Sequence, residues 1–262
     1  MDMSDATHAA LAQDLICLGD LKVWSVLVTL FGDLAPDQTD SIPGPVLSAL
    51  TGQMGIRPEA LRVALHRLKK DDWIEATKSG RVSHYKLSAH GRSETKKANP
   101  RVFGPFPQAA ATWWLVALDS TSARDPGQSG LQLGRGLYLT QNPPRSDAQA
   151  LIATLTGETI PDWARAAILP QDLQDAYGRL EAILTRHPLT SPPATALEAM
   201  TLRGLILHAW RRLALRAPAG ALDLMGRDWQ GAKCRDRVMQ SLAQVPRRAI
   251  WELETVAERT PG

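Results

Sequence analysis

Cysteine is scarce: Cys17 and Cys234 are the only two in 262 residues. Two thiols so far apart make neither a CxxC metal knuckle nor a redox motif by themselves, and a reducing compartment is the expected setting. Long apolar runs are missing as well, since no stretch approaches the 18 residues that a membrane-crossing helix needs. The opening MDMSDATHAA carries acids where a secretory leader has a basic segment and an apolar stretch, so a soluble, cytoplasmic protein without membrane contact is expected. Six histidines (His8, His66, His84, His90, His187 and His208) fall into neither HExxH nor another paired spacing suited to zinc. There is no GxSxG, no GxxxxGK[ST] and no dinucleotide-type GxGxxG; the Gly134-Arg135-Gly136 turn falls short of the last. These absences predict a protein that is not an enzyme, with no metal and no cofactor.

What is present is enough apolar material, 44% of 262 residues, for a buried core and two or three small domains. The net charge of +3 says little about partners, but its distribution says more. Between Arg57 and Lys97 eleven basic side chains face five acidic ones, a net of +6, and the rest of the chain sums to −3. A local positive field of this kind attracts a polyanion, although a solvated charged face gives the same pattern.

Apolar residues recur at helical spacing from Lys22 to Phe31. Pro45 and Pro58 stand where a first helical residue is favoured; they open a helix to about Met54 and another to about Lys70, with Gly55 breaking the chain between them. Trp73–Thr77 and Val82–Leu87 read as strands around Lys78-Ser79-Gly80-Arg81, a loop of hairpin length. Helix, helix after a tight break, helix and hairpin is the order of a winged helix-turn-helix. The segment NPRVFGPFP, from Asn99 to Pro107, is too rich in Pro and Gly for a regular element and marks a boundary. Beyond it Thr112–Leu118 and Gly136–Thr140 read as strands and Ala148–Leu155 as helical. Gln171–Arg186, Thr195–Arg216, Ala232–Val245 and Arg247–Arg259 read as helices. The expected class is mainly α with small β elements, α+β, in three units: 1–98, 99–190 and 191–262.

The helix opened by Pro58 carries the functional reading. With about 100° per residue, Leu61, Ala64, Leu65 and Leu68 fall on one side, and Arg62, His66, Arg67 and Lys70 fall opposite, with Lys69 at the margin. A recognition helix must be anchored from behind while its outer face enters the major groove. Arg can bridge two acceptors on guanine, whereas Lys mostly neutralises phosphate. Lys78, Arg81 and His84 on the hairpin, and Arg57 ahead of the helix, complete the candidate DNA-binding set.

LKVWSVLVTLFGD (Leu21 to Asp33) and GIRPEALRVALHRLKKDDWIEATKSGRVSHYKLSAHG (Gly55 to Gly91) resemble the amino-terminal domain of the phenylacetic acid degradation repressor (PaaX-like) family. Trp113–Leu118 resembles the first strand of that family's ferredoxin-like middle domain; LHAWRRLAL (Leu207 to Leu215) with DWQG (Asp228 to Gly231) resembles its helical carboxyl-terminal domain. The resemblance implies a homodimeric repressor of a catabolic operon, bound to double-stranded operator DNA and released by an acyl-CoA such as phenylacetyl-CoA. It also implies a reduced middle domain, because the Gly- and Pro-rich stretch from Asp119 to Gly136 leaves little room for the helix relatives carry there.

For the effector, Arg203, His208, Arg211 and Arg212 share one helix and could hold a phosphate or thioester carbonyl, with Trp229 of DWQG as a pocket wall. The competing expectation is a solvated or domain-contact face for the cations and core packing for Trp229, as for Trp24, Trp73, Trp210 and Trp251. Of the adjacent Trp113 and Trp114, only one can face inward on a strand. Two other functions fit parts of the pattern. A metal-dependent nuclease on the middle domain would use Asp119 at the end of the first strand; a winged-helix protein-interaction module would have its basic face covered.

Overall fold

The computed structural model describes residues 3–104, 112–118, 130–142, 150–155, 160–218, 220–225 and 229–257. The chain opens with α1 (Met3–Cys17), α2 (Val23–Leu34), β1 (Ile42–Pro43), α3 (Gly44–Gln53), α4 (Pro58–Lys70), β2 (Ile74–Ser79), β3 (Val82–Leu87) and α5 (Ala89–Phe103). A second run of strands follows: β4 (Trp113–Leu118), β5 (Gly130–Gly134), β6 (Leu137–Thr140) and β7 (Ala150–Leu155). Helices α6 (Asp162–Ile168), α7 (Gln171–Arg186), α8 (Ala196–Arg216), α9 (Ala221–Met225), α10 (Gln230–Gln244) and α11 (Ile250–Ala257) close the order. The class is α+β, mostly helical with small antiparallel sheets.

Local chemistry explains the α3 to β3 segment. Both α3 and α4 carry Pro in the first turn, where the missing N–H removes no helical bond. Each ends in a Schellman motif. After α3, Gly55 takes φ +75° and the Ile56 amide donates to the Thr51 carbonyl at 3.0 Å. After α4, Asp72 takes φ +55° and the Trp73 amide donates to the Leu68 carbonyl at 2.8 Å. Strands β2 and β3 pair from Ile74 opposite Leu87 to Ser79 opposite Val82, leaving Gly80-Arg81 as a two-residue loop. Gly80, with φ +59°, occupies the first loop position, where a type II′ turn needs glycine. Strand β1 pairs on the other side of β3, giving the order β1-β3-β2.

The second sheet is antiparallel throughout, in the order β5-β6-β4-β7. Here the expected helix at Ala148–Leu155 is corrected: Ala150–Leu155 is a strand, with Ile152 opposite Val116 and Ala153 opposite Leu115. Six residues are too few to separate the two periods, and pairing along the length of β4 outweighs the helix preference of two alanines. The break expected at Asn99 is also corrected. α5 continues to Phe103 with Pro100 inside it, because its last turn is tied to α8. Arg101 donates to the carbonyls of Ala214 (2.9 Å) and Leu215 (3.0 Å) and to that of Ala217, while the Trp210 indole N–H donates to the Val102 carbonyl at 2.9 Å. Helices α1, α6 and α9 and strands β1 and β5 have no counterpart in the reading of the sequence. Most of the expected shortening between Asp119 and Gly136, and Asp119 itself, lie outside the described residues.

α8 is the centre of the molecule. Its amino terminus carries a full capping box between Thr195 and Glu198, and it packs against α1, α2, α3, α5, α7, α10 and α11. Every residue from Met200 to His208 is buried, so of the solvated or domain-contact face expected for its cations only the contact form fits that stretch. Trp210 is fully buried, and Tyr177 meets both Trp210 and Trp229 edge-on, at 6.0 and 4.9 Å between ring centroids. Burial pushes the Tyr177 hydroxyl and the Cys234 thiol well above their ordinary pKa. Trp113 is buried with its ring against Gly220, and Trp114 is the half-buried one. The packing role expected for Trp251 fails, since that side chain is 68% exposed. A single apolar cluster runs from Leu11 to Leu253.

Candidate nucleic-acid interface

Leu61, Ala64, Leu65 and Leu68 of α4 are buried, and the helix rests on α2 and α3 through them. Arg62, His66, Arg67, Lys69 and Lys70 are all exposed, as is Arg57 at the N-cap. Among the described residues the side chains of Arg62, His66, Lys69 and Lys70 make no hydrogen bond or ion pair. Arg67 is partly committed: its guanidinium lies 6.0 Å from the Trp24 ring centroid and 3.5 Å from Asp71. The sequence reading missed Val63, which sits 69% exposed beside Arg62. An apolar side chain among cations on an outer face is the available signal, and it suits contact with a thymine methyl.

The hairpin cations are divided. Register places Lys78 opposite Ser83, on the sheet face shared with Ile74 and Leu87, but beyond the core and exposed. His84, half-buried, stands opposite Thr77 on the other face, next to the Lys86–Glu75 ion pair at 3.5 Å. Arg81 is exposed in the loop. The tip thus presents Lys78 and Arg81 to solvent, while His84 belongs to the middle strand.

The effector candidates do not form one site. Arg203, 8% exposed, clamps Asp33 of α2 through Nε (2.7 Å) and Nη2 (2.8 Å), and its Nη1 donates to the Leu242 (3.3 Å) and Val245 (3.0 Å) carbonyls. This set of bonds ties α8, α2 and the end of α10 together and leaves no donor face for a ligand; Arg203 is corrected to a structural residue. Trp229 is corrected likewise, being buried against Tyr177. Arg211 turns toward a narrow gap lined by Thr29, Asp33, Thr95 and Phe103, where burial lowers its pKa. His208 and Arg212 do meet, in a cleft between α1, α7 and α8 that also holds Arg179 and Arg216. His208 is 2% exposed and its pKa is lowered to about 4, first by burial and then by Arg212 and Arg211. Among the described residues no group of three or more His, Cys, Asp or Glu could hold a metal, and no helix is long and apolar enough to cross a membrane.

A family model described as PaaX-like protein matches residues 22–91, the segment that contains α2 to β3 and the exposed cations of α4. Another, described as PaaX-like protein C-terminal domain, matches residues 170–252. The chain is 24% identical over 268 residues to "Transcriptional repressor PaaX" of Escherichia coli (strain K12), covering 91% of this chain and 85% of that one. Among solved structures, the fold is similar to that of uncharacterized protein Rv0674 from Mycobacterium tuberculosis, at a TM-score of 0.53 and 17% identity over 89% of this chain and 97% of that one. With both segments matched in order, this chain belongs to the PaaX-like protein family.

Proposed function

We propose that this chain is a cytoplasmic, homodimeric, DNA-binding transcriptional repressor and not an enzyme. Residues 1–98 act as its winged helix-turn-helix unit. In this reading α3 and α4 form the helix-turn-helix, α4 enters the major groove, and the β2–β3 tip reaches the neighbouring backbone. The sheet order β5-β6-β4-β7 favours a ferredoxin-like middle unit over 99–190, and 191–262 is the helical carboxyl-terminal unit. The name of the E. coli relative supports repression; the family resemblance supports release by a small acyl-CoA such as phenylacetyl-CoA.

The observation that carries the proposal is the two-sided chemistry of α4: four apolar side chains inward, and Arg62, His66, Lys69 and Lys70 outward without partners among the described residues. Ion-paired cations are common on protein surfaces, but a cluster left unpaired is electrostatically costly unless a polyanion neutralises it. The test is a mobility-shift titration on genomic fragments selected by the protein itself, over a range of salt. Arg62→Ala should weaken binding by about 1–3 kcal/mol and relax the sequence preference. Lys70→Ala should weaken all sequences alike and reduce the log K against log salt slope by about 1. Both variants should melt as the parent does, and unchanged DNA affinity in both rejects the interface.

A further inference from the structure

The cleft between α1, α7 and α8 has a volume of about 220 Å³, an apolar wall that includes Leu15, Leu205 and Leu213, and an excess of cations. Arg216 is paired with Asp172, which also lines the cleft. Among the described residues the Arg179 side chain makes no hydrogen bond or ion pair, and that of Arg212 donates only to a backbone carbonyl, that of Asp20 at 3.2 Å. Two positive charges therefore face the cleft without a counter-ion among the described residues. His208 lines the same space. Its Nδ1 lies 3.5 Å from the Thr29 hydroxyl of α2, and its Nε2 is buried with no partner among the described residues. A buried ring nitrogen without a partner carries a desolvation cost that a bound polar atom would remove.

We propose that this cleft is the effector site, and that it takes an anionic small molecule with an apolar body: an anionic oxygen meets Arg212, Arg179 and His208 Nε2, and the apolar part lies along the leucines. An anionic oxygen at Nε2 selects the tautomer whose proton is on that nitrogen. The volume is below the roughly 300–1,000 Å³ of sites that enclose a drug-sized ligand, so the enclosed portion is the size of a small acid and anything larger extends over the open rim. The same contacts give binding a route to DNA. The Asp20 carbonyl that Arg212 holds also accepts from the Lys22 amide at 3.0 Å, at the entry to α2, and α2 packs on α4. An anion that captures Arg212 withdraws it from Asp20 and loosens the turn on which α2, and through it α4, is set. Only this last consequence rests on the repressor reading; the binding step does not.

The test is calorimetric titration of the full chain with phenylacetate, phenylacetyl-CoA, coenzyme A and inorganic phosphate. Binding of phenylacetate or phenylacetyl-CoA, with inorganic phosphate ineffective, is expected. Arg179→Gln and Arg212→Gln should each weaken the bound probe by about tenfold or more, the scale of a lost charge-assisted hydrogen bond. Arg237→Gln, on α10 away from the cleft, should not. Phenylacetate binding identifies a free carboxylate as the anion; binding of phenylacetyl-CoA and coenzyme A without phenylacetate identifies a phosphate. Failure of every probe, or equal affinity in Arg179→Gln and the parent, overturns the site, and Arg179 is exposed enough that its loss does not threaten folding. Mobility-shift titration with the same probes separates the two proposals. A protein that binds DNA but no probe loses the cleft and keeps the DNA reading, whereas one that binds a probe through Arg212 but no DNA does the reverse.

Discussion

Arg203 and Asp33, 170 positions apart, meet in a buried clamp that joins α8 to α2. Removing Arg203 leaves Asp33 charged and buried, with the longer 3.9 Å contact to the half-exposed Arg247 as its remaining ion pair among the described residues, so Arg203→Ala should lower stability by about 3 kcal/mol in urea unfolding, the lower end for a broken buried pair. Replacing both with apolar or neutral residues of similar volume should recover much of that loss; a single variant that unfolds like the parent contradicts the clamp. Nothing in the sequence separates Arg203 from Arg62. Both are arginines on amphipathic helices, and only the position of Asp33 in space decides that one is structural and the other faces solvent. His208 makes a second residue-scale expectation. Its folded pKa of about 4 lies below the ordinary 6.5, so the neutral ring stabilises the fold fully above pH 6.5 and this contribution is lost as pH falls through 4. The loss amounts to up to about 1.4 kcal/mol per pH unit across that window. Thr29, the Ser25 backbone, which acts in the opposite direction, Arg211 and Arg212 are the groups facing the ring among the described residues. A His208→Gln variant should show a flatter dependence of stability on pH between 6.5 and 4, measured by denaturant titration at each pH.

Among the elements, those with strong local grammar were legible. α4 has a proline start, a clean apolar stripe and a Schellman stop, and its bounds were read as the structure has them. α7 and α8 were equally clear, and β3 was bounded by its hairpin loop. Elements held by distant partners were not legible. α5 passes through Pro100 because Arg101 and Trp210 satisfy carbonyls across the α5–α8 contact. β7 is a strand because β4 offers it a full edge. One local feature has a measurable price: Asp72 holds a left-handed conformation after α4 that suits glycine better. Asp72→Gly should raise stability by about 0.5–1 kcal/mol, visible as a thermal midpoint a few degrees higher. A lower midpoint would mean that the carboxylate contributes more than the backbone strain costs.

For the whole molecule, the units read from the sequence are not separate cores. α2 and α3 of the first stretch, α7 of the middle one and α10 and α11 of the last all pack on α8, and the apolar cluster is continuous from end to end. A fragment of residues 1–98 loses α8 and exposes the part of α2 that α8 covers. It should therefore melt without a sharp transition and bind a hydrophobic dye, whereas the full chain should unfold in one cooperative step with respect to these helices. A fragment that melts sharply near the parent's midpoint contradicts the shared core. The sequence showed where both ends were amphipathic but not that one helix serves both, since an apolar stripe does not name its partner.

Because α8 is a common floor, the end of this chain that carries α4 cannot be grafted onto an unrelated scaffold as a self-sufficient cassette. A chimera made with a relative should work only when the second and last thirds of its helical material travel together with the first, so that each apolar face is inherited along with the surface it was shaped against.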